Sequence, residues 1–393
     1  MRNLSSGRRV TIQLLEFKSL TLLSITRYEM QQMANQSSHF DIWYTHIQEK
    51  KMDSTGEIKQ RKDDHIKINL EKNVASSLSV GFDQYTFVHN ALPELDLNKI
   101  NLESTFLGRI LNAPLLISSM TGGTDAGNLI NIRLAEAAQH TGIAMGVGSQ
   151  RSEVQNPITA EKFNIRQYAP GIPLYANLGA VQLNYGFSMD ECKQAIDGIQ
   201  GDALILHLNP LQEALQPEGQ TNFAGILKRI EVVCSEIDVP VIVKEVGWGI
   251  SSAVARRLID AGVSCIDVAG AGGTSWALVE KYRNSDKNRV AISEHFHDWG
   301  IPTSDCVKEL HLDFPEIPLI ASGGIKRGID VGKSIALGAQ VSGIAGVLFR
   351  EAAVSTEAVI VKIREFMDEL RITMFVVGSG DIAALATTPI YKK

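Results

Sequence analysis

The stretch PVIVKEVG, residues 240–247, shows the pattern that decides the fold. It is a short aliphatic run with a polar, glycine-containing end, and similar runs recur between Ala113 and Phe349. In chain order the other seven are PLLISSM from Pro114, IAMGVG from Ile143, PLYANLG from Pro173, ALILHLN from Ala203, CIDVAGA from Cys265, PLIASGG from Pro318 and VSGIAG from Val341. Such runs are typical of parallel strands that are buried on both faces.

Helical periodicity fills most of the segments between these runs, and it is clear at residues 128–140, 189–199, 223–237 and 251–261. Strand centres lie roughly 25 to 37 residues apart, widening to about 53 before the seventh strand, which is the spacing of βα units with one insertion. Eight such units predict the α/β class and a (β/α)8 TIM barrel, whose active site lies at the carboxyl ends of the strands. An open doubly wound sheet is the alternative, but it would seldom have polar residues at all eight strand ends.

The last two runs end in small residues. Ser322, Gly323 and Gly324 end the seventh strand, and Ala345 and Gly346 end the eighth. In barrels, these two loops commonly hold a phosphate on backbone N–H groups, and glycine allows that close approach. The alternative is that these glycines only make tight turns.

Lys244 ends the fifth strand. An ammonium in a barrel mouth is costly unless it faces an anion, which predicts contact with a cofactor or substrate; pairing with Glu245 or Asp267 is the alternative. Neutral hydrogen-bonding groups end other strands, namely Thr121, Gly122, Ser149, Asn177 and Thr274. Such a ring suits a large planar ligand with polar edges.

Over about residues 60–391 the chain resembles the type 2, FMN-dependent isopentenyl diphosphate isomerases. The resemblance rests on RKDDHI from Arg61, MTGG from Met120, GSQR from Gly148, ANLGA from Ala176, HLNPLQE from His207, VKEVG from Val243, AGAGGTSW from Ala269, WGIPT from Trp299 and SGGI from Ser322. It implies a soluble flavoenzyme that interconverts isopentenyl diphosphate and dimethylallyl diphosphate. It further implies FMN kept reduced by NADPH, a diphosphate substrate bound with magnesium (Mg2+), and a homo-oligomer.

The resemblance also assigns residues. The FMN-binding positions are Met120, Thr121, Gly122, Ser149, Asn177, Lys244, Thr274, Gly323, Gly324, Ala345 and Gly346. The substrate-side positions are Arg61, Lys62, His65, Gln150, Arg151, His207, Asn209 and Gln212, and the magnesium ligand is Glu213. A diphosphate binds guanidinium and ammonium groups, and magnesium keeps several waters, so that one carboxylate suffices. Taken alone, RKDDHI is more typical of a solvated charged stretch.

The residues after the fourth strand are the catalytic candidates. Pro210 favours an extended Asn209, so we expect Gln212 and Glu213 to lie on a loop over the barrel mouth. The strand ends carry no carboxylate pair and no Cys/His pair, which fits a cofactor that performs the hard step, and the resemblance gives the acid/base role to N5 of reduced FMN. A neutral amide is a poor general base, so Gln212 is expected to orient or relay. His207 could assist, or be a hydrogen-bonded core residue.

Composition limits the remaining classes of function. The chain has 393 residues, 44% of them hydrophobic, and a net charge of −6, so it buries a large core and shows no basic bias towards nucleic acid. Its four cysteines have no CxxC or Cys/His spacing, which indicates neither a zinc site nor a disulfide framework and favours a reducing cytoplasm. No run reaches the roughly eighteen apolar residues of a membrane span. No GxGxxG opens a helix after the first strand, so NADPH would bind without a Rossmann domain.

Residues 1–59 match nothing in the family, and residues 60–393 are expected to form one catalytic barrel domain. The apolar run Leu14–Ile25 is broken by Glu16 and Lys18, which is poor for a signal peptide. We expect a flexible extension or a start codon assigned too early, with Met52 as a plausible beginning. At the other end, residues 355–374 are predicted as the eighth helix and residues 381–390 as a segment that packs on the barrel.

Three other functions remain alternatives. An FMN-dependent 2-hydroxy acid oxidase or dehydrogenase has similar strand ends, but its base histidine and substrate arginine belong after the sixth strand, where AGAGGTSWA from Ala269 has neither. An IMP dehydrogenase-like enzyme needs a nucleophilic cysteine there, and Cys265 starts the strand at the wrong end. A flavin- or phosphate-binding protein without catalysis would not need the HLNPLQE and RKDDHI strings.

Overall fold

A computed structural model describes residues 59–155 and 164–393. The N-terminal extension expected over residues 1–59 lies, except for its last residue, outside this part of the chain.

Eight parallel strands form a closed barrel, which confirms the predicted TIM barrel. They are β4 Leu115–Ile117, β5 Ala144–Gly146, β6 Leu174–Gly179, β7 Ala203–His207, β8 Val241–Lys244, β9 Cys265–Asp267, β10 Leu319–Ser322 and β11 Val341–Ile344. Each lies within one of the eight aliphatic runs. The barrel closes where β11 pairs with β4, in the register Ser342 to Leu115. In the part of the chain that the structure describes, three short strands precede the barrel, β1 Tyr85–Phe87, β2 Ser104–Phe106 and β3 Arg109–Leu111, and β12 Ile390–Lys392 follows it.

Helices follow most of the barrel strands, as the periodicity predicts. The helices within the described residues are α1 over residues 59–71, α2 Asp125–Thr141, α3 Arg151–Gln155, α4 Met189–Ile199, α5 Pro210–Leu215, α6 Ile226–Glu236, α7 Ser252–Asp260, α8 Trp276–Arg283, α9 Lys287–Glu294, α10 Thr303–Asp313, α11 Gly328–Ala336, α12 Gly346–Val354, α13 Thr356–Val377 and α14 Ile382–Ala386. Short 3-10 helices cover Phe82–Gln84, Leu97–Lys99, Ile165–Tyr168 and Ala180–Asn184. The insertion predicted before the seventh barrel strand contains α8 and α9, whereas α10 packs against β10 and α7 as the helix of the repeating unit.

The amino end of the barrel is closed by apolar side chains. Phe106 of the β2–β3 hairpin is fully buried and meets Tyr175 at the start of β6, with ring centroids 6.4 Å apart. Ile205, Ile242 and Ile320 fill the interior around them. Burial of each such side chain stabilises the folded state by roughly 2 kcal/mol of free energy. Because this end is packed shut, a ligand must enter at the carboxyl end.

Segments near both ends of the described chain are held against the barrel. Leu385 of α14 is fully buried in the main core, as the predicted closing segment requires, and β12 pairs antiparallel with β1. Near the other end of the described chain, Ser76 N donates to Gly273 O and Ser275 N donates to Val74 O. These bonds fix the segment after α1 against the loop after β9. None of the described helices has the length and apolar surface of a bilayer-spanning helix.

Candidate functional site

A buried charge pair lies at the carboxyl ends of β8, β9 and β10. The Lys244 ammonium is 3.5 Å from Asp267 Oδ2 and donates to the backbone oxygen of Glu245 at 2.9 Å. Asp267 also accepts from Ser322 Oγ at 2.5 Å. Both charged side chains are almost fully buried. The Glu245 carboxylate accepts instead from the N–H groups of residues 246–248, so Asp267 is the carboxylate that pairs with Lys244.

The glycine-rich loops after β9 and β10 pack directly against each other. Gly323 and Gly324 have φ of +96° and +86°, and a Cβ on Gly324 would lie 2.6 Å from the carbonyl carbon of Gly272. A Cβ on Gly323 would overlap Gly270 in the same way. Loop-to-loop packing therefore already requires these glycines, whatever they bind. Gly346 differs, because the nearest atom to its Cβ position would be Thr274 Oγ1 at 3.7 Å, which leaves the first turn of α12 open.

His207 joins the tips of β6 and β7. Asn177 Nδ2 donates to Val147 O, so its Oδ1 is left to accept from His207 Nδ1 at 2.9 Å. Burial, followed by the charges of Lys244 and Arg61, lowers the pKa of His207 to about 4. His207 is thus neutral at pH 7, with the proton on Nδ1, and Nε2 is an acceptor near Gly179.

Asn209, Gln212 and Glu213 form one hydrogen-bonded unit after β7. Asn209 Nδ2 donates to Gln212 Oε1 at 3.2 Å and to Glu213 Oε1 at 2.9 Å. The expected loop is wrong, because Gln212 and Glu213 lie on helix α5. Pro210 occupies its first turn, where its fixed φ suits a helix and its missing N–H costs nothing. Asn209 is not extended either, with ψ of 47°.

Glu280 of α8 connects this unit to α1. It is fully buried, and its Oε1 accepts from His65 Nε2 at 2.9 Å and from Gln212 Nε2 at 3.3 Å. Its Oε2 accepts from Arg283 Nη1 at 2.7 Å. Burial alone would raise the pKa of Glu280, but hydrogen bonding and charge from His65 and Arg283 outweigh it and lower the pKa. A buried, ionised carboxylate therefore holds two of the predicted site residues.

Sequence reasoning missed Glu280. An acid with a base three residues later is a common pair on exposed helix surfaces, so the sequence held no signal that this one is buried.

The predicted phosphate-binding cations lie around the same mouth. Arg61 Nε is 3.9 Å from Glu218 Oε1, Arg151 Nη1 donates to Gln220 Oε1 at 3.2 Å, and the Lys62 ammonium donates to Ser149 O at 3.3 Å. Gln220 N donates in turn to Glu213 Oε2 at 2.5 Å. Residues near 61, 150, 213 and 280, far apart in sequence, are thus connected by hydrogen bonds and ion pairs.

Gln150 behaves differently from its neighbours. Its Nε2 donates to Ala195 O at 2.8 Å and its Oε1 accepts from Asn177 N at 3.0 Å, and the residue is 2% exposed. Its side chain thus holds the β6 tip to α4 with both polar atoms in use. Any contact with substrate through Gln150 stays a prediction.

The other predicted cofactor positions frame the mouth. Thr121 O accepts a hydrogen bond from Asn131 Nδ2, and Thr274 forms an isolated antiparallel β-bridge with Ala75. The remaining positions, all at strand ends or in βα loops, are Met120, Gly122 and Ala345.

Several buried polar atoms around the mouth have no protein partner among the described residues. They are Ser118 Oγ, Ser119 Oγ, Arg151 Nε, Asn209 Oδ1 and Ser275 Oγ. Buried polar groups are normally hydrogen-bonded, and each exception calls for an explanation such as a ligand or water. Donors and acceptors of this kind fit a large polar ligand at the strand ends.

Metal ligands are sparse. Within residues 59–155 and 164–393, no three His, Cys, Asp or Glu side chains converge to hold a metal ion. Glu213 accepts from Asn209 Nδ2, Gln216 Nε2 and Gln220 N, and a carboxylate has about four acceptor positions. One position therefore remains, which fits a cation held mainly by another ligand.

Comparison with known proteins places the chain in a family. A family model described as FMN-dependent dehydrogenase matches residues 209–392. The chain is 51% identical over 333 residues to the isopentenyl-diphosphate delta-isomerase of Nostoc sp., covering 84% of this chain and 95% of the relative. The enzyme of the same name from Rickettsia africae is 51% identical, with 84% and 97% covered.

Solved structures show the same fold at low identity. A mandelate oxidase with (S)-2-phenylpropionate has a TM-score of 0.61 at 19% identity, covering 86% of this chain and 98% of that one. A lactate oxidase from Pediococcus acidilactici has a TM-score of 0.59 at 18% identity, with 84% and 86% covered. Similarity at this level supports the barrel alone, whereas the relatives at 51% identity decide the family. The chain belongs to the isopentenyl-diphosphate delta-isomerase family.

Proposed function

We propose that the protein interconverts isopentenyl diphosphate and dimethylallyl diphosphate, a 1,3-allylic rearrangement, with reduced FMN as the acid/base cofactor. The observation that carries the proposal is the buried cluster in which Glu280 holds both His65 and Gln212 beside Arg61, Lys62 and Arg151. It combines polar groups of fixed orientation with cations for a diphosphate. The relatives at 51% identity carry the name of this activity.

The strand ends would hold FMN. Lys244 supplies a buried positive charge, the open first turn of α12 suits a phosphate, and the unpartnered hydroxyls of Ser118 and Ser119 face no protein acceptor. The name of the matched family model also points to FMN. When bound and reduced, FMN supplies the group that delivers and removes the proton. NADPH is the proposed source of the reducing electrons.

Gln212 and His207 orient the reacting part of the substrate. The Gln212 amide is fixed at both ends, by Asn209 and by Glu280, so it presents a defined donor and acceptor to the pocket. Neutral His207 offers only its Nε2 lone pair, which makes it a hydrogen-bond acceptor and a poor acid at pH 7. Both residues therefore favour the reaction by holding the substrate in a fixed geometry, and neither acts as a strong acid.

The diphosphate end lies with the cations. Arg61, Lys62 and Arg151 would bind the phosphate oxygens, and Glu213 would hold magnesium together with the substrate. Magnesium usually shares phosphate oxygens and keeps waters, so a single carboxylate is sufficient. Glu213→Gln should therefore raise both the magnesium concentration needed for half-maximal activity and the KM by about tenfold, without change in FMN binding. A magnesium titration that overlays that of the wild type would show that Glu213 is not the ligand.

The main test is a reconstitution assay. Purified protein should be yellow, and it should isomerise isopentenyl diphosphate only with FMN, magnesium and a reductant. Activity that is indifferent to flavin reduction, or protein that takes up no FMN, would overturn the proposal. Oxidation of a 2-hydroxy acid without isomerisation would favour the oxidase alternative. A homo-oligomer in the cytoplasm also stays a prediction, which light scattering and fractionation would test.

A further inference from the structure

A second buried carboxylate lies beside Lys62. The Lys62 ammonium donates to Ser152 Oγ at 2.8 Å, and Ser152 Oγ donates to Glu153 Oε2 at 3.1 Å. Glu153 is only 6% exposed, and its Oε1 has no hydrogen-bond partner within the described chain. Lys62 lies on α1, whereas Ser152 and Glu153 lie on α3, so this contact joins the two helices.

Gly123 makes the space for this contact. It has φ of +78°, and a Cβ there would lie 2.9 Å from Glu153 Oε1 and overlap both the Ser152 hydroxyl and the Lys62 ammonium. The last glycine of the MTGG motif therefore faces the ammonium directly. A side chain at this position would push Lys62 out of its place.

The charges around Lys62 are unequal. Loss of hydration on burial is the largest cause that lowers the pKa of Lys62, and the charges of Arg61 on its own helix and Arg151 on α3 lower it further. Glu153 is the carboxylate that raises it again. Without Glu153, three cations would face one another across the two helices before any anion arrives.

We propose that Glu153, acting through Ser152, is a positioning residue that keeps the Lys62 ammonium in place and charged for the diphosphate of the substrate. The inference rests on the proposed function, in which Lys62 binds that diphosphate. Glu153 itself does not bind the substrate, since its carboxylate would repel a phosphate. This repulsion accompanies the benefit that Glu153 keeps Lys62 protonated although burial removes much of the hydration of its ammonium group.

The test is the pH dependence of KM for isopentenyl diphosphate, measured with saturating reduced FMN and magnesium. Above the pKa of Lys62 the neutral amine loses its attraction for phosphate, so KM rises with pH. Glu153→Gln removes the group that raises this pKa, so the rise should begin about one pH unit lower. At a pH midway between the two breaks KM should be about threefold higher, approaching tenfold above both breaks, while kcat changes less than twofold.

A matched control is Asp125→Asn. Asp125 pairs at 3.5 Å with Lys59, another lysine of α1, but both side chains are exposed, so this variant should leave the KM profile unchanged. Ser152→Ala keeps the Glu153 charge and removes the bridging hydroxyl, and it should raise KM several-fold at all pH values. Direct binding of magnesium pyrophosphate should weaken in parallel in both Glu153→Gln and Ser152→Ala.

Two results would overturn the inference. A KM profile of Glu153→Gln that overlays the wild type would show that the carboxylate only fastens α3, and a lower KM would show that it acts by repelling substrate. If Glu153→Gln does not fold, a Ser152→Ala variant with wild-type KM has the same meaning. Lys62→Met distinguishes an error in the substrate assignment of Lys62 from an error in the role of Glu153. Unchanged KM there would remove the substrate assignment of Lys62, whereas a large rise together with an unaltered Glu153→Gln profile would remove only the role of Glu153.

Discussion

The two halves of the barrel mouth are held by different means. On the side assigned to FMN, Lys244, Asp267 and Ser322 stand on three neighbouring strands, and their contacts follow from parallel pairing. On the side assigned to the substrate, His65, Gln212 and Glu280 come from three helices that are remote in sequence. The first group is fixed by the fold itself, whereas the second depends on hydrogen bonds and ion pairs between helices.

This difference indicates where changes should matter. Loss of a contact on the FMN side should lower the free energy of unfolding, because a strand charge is left buried and unpaired. Loss of a contact on the substrate side should change KM or kcat while the barrel stays folded, because α1 and α8 lie outside the barrel wall.

The largest effect is expected from removal of most of α1. A chain that starts at Asn69 lacks Arg61, Lys62 and His65. Each hydrogen bond to a charged group is worth about 1.5–3 kcal/mol, so KM should rise by about a thousandfold or more. FMN absorbance should survive, since the strand ends are intact. An unaltered KM would mean that RKDDHI is only a solvated stretch and that the substrate-side assignment there is wrong.

Glu280→Gln should lower kcat by about a hundredfold, because small misplacements of positioned groups have effects of this size. The variant removes the charge that binds His65 and Arg283, and it lets the Gln212 amide turn. The measurement is single-turnover isomerisation with the flavin spectrum as a check of integrity. Glu294→Gln is the control, since its partner Lys281 also lies on α8 but the pair is solvent-accessible. A kcat within threefold of the wild type would contradict this role for Glu280.

Asp267→Asn tests the FMN side. The change leaves Lys244 with the backbone oxygen of Glu245 but without a carboxylate, and breaking a buried pair costs about 3 kcal/mol. Urea unfolding of FMN-free protein should report this loss. Glu231→Gln, which breaks the exposed pair with Lys228, should cost less than about 1 kcal/mol. Equal losses in both variants would show that the buried strand pair contributes no more to stability than an exposed ion pair does.

The same distinction explains what the sequence could predict. The eight strands and the residues at their ends follow from aliphatic runs and from the rule that parallel strands end on one side, so the positions of Lys244, Asn177 and Gly346 at the carboxyl end of the barrel could be predicted from sequence. Asp267 was visible as a carboxylate within a buried strand. Glu153 and Glu280 were not, because a glutamate on a short helix is usually exposed, and only the fold shows that another helix packs against it. The helix at Pro210 was missed for a related reason, since a proline after an asparagine is compatible with both a turn and a first helical turn.

The smallest effect is expected at the start of the chain. A chain that begins at Met52 keeps seven residues before Lys59, and with them every contact described for α1, from the Lys59–Asp125 pair to the bond between His65 and Glu280. Because the described contacts of the substrate-side cluster are all kept, kcat, KM and Tm should match those of the full chain. Assay and thermal unfolding at equal FMN concentration are the measurements, because bound cofactor itself shifts Tm. Retained activity is informative when it is compared with the activity of the chain that starts at Asn69. The two chains differ by the seventeen residues that include Arg61, Lys62 and His65. Loss of FMN or a lower Tm at Met52 would place residues 1–51 within the folded unit, and the expectation of an extension would be wrong.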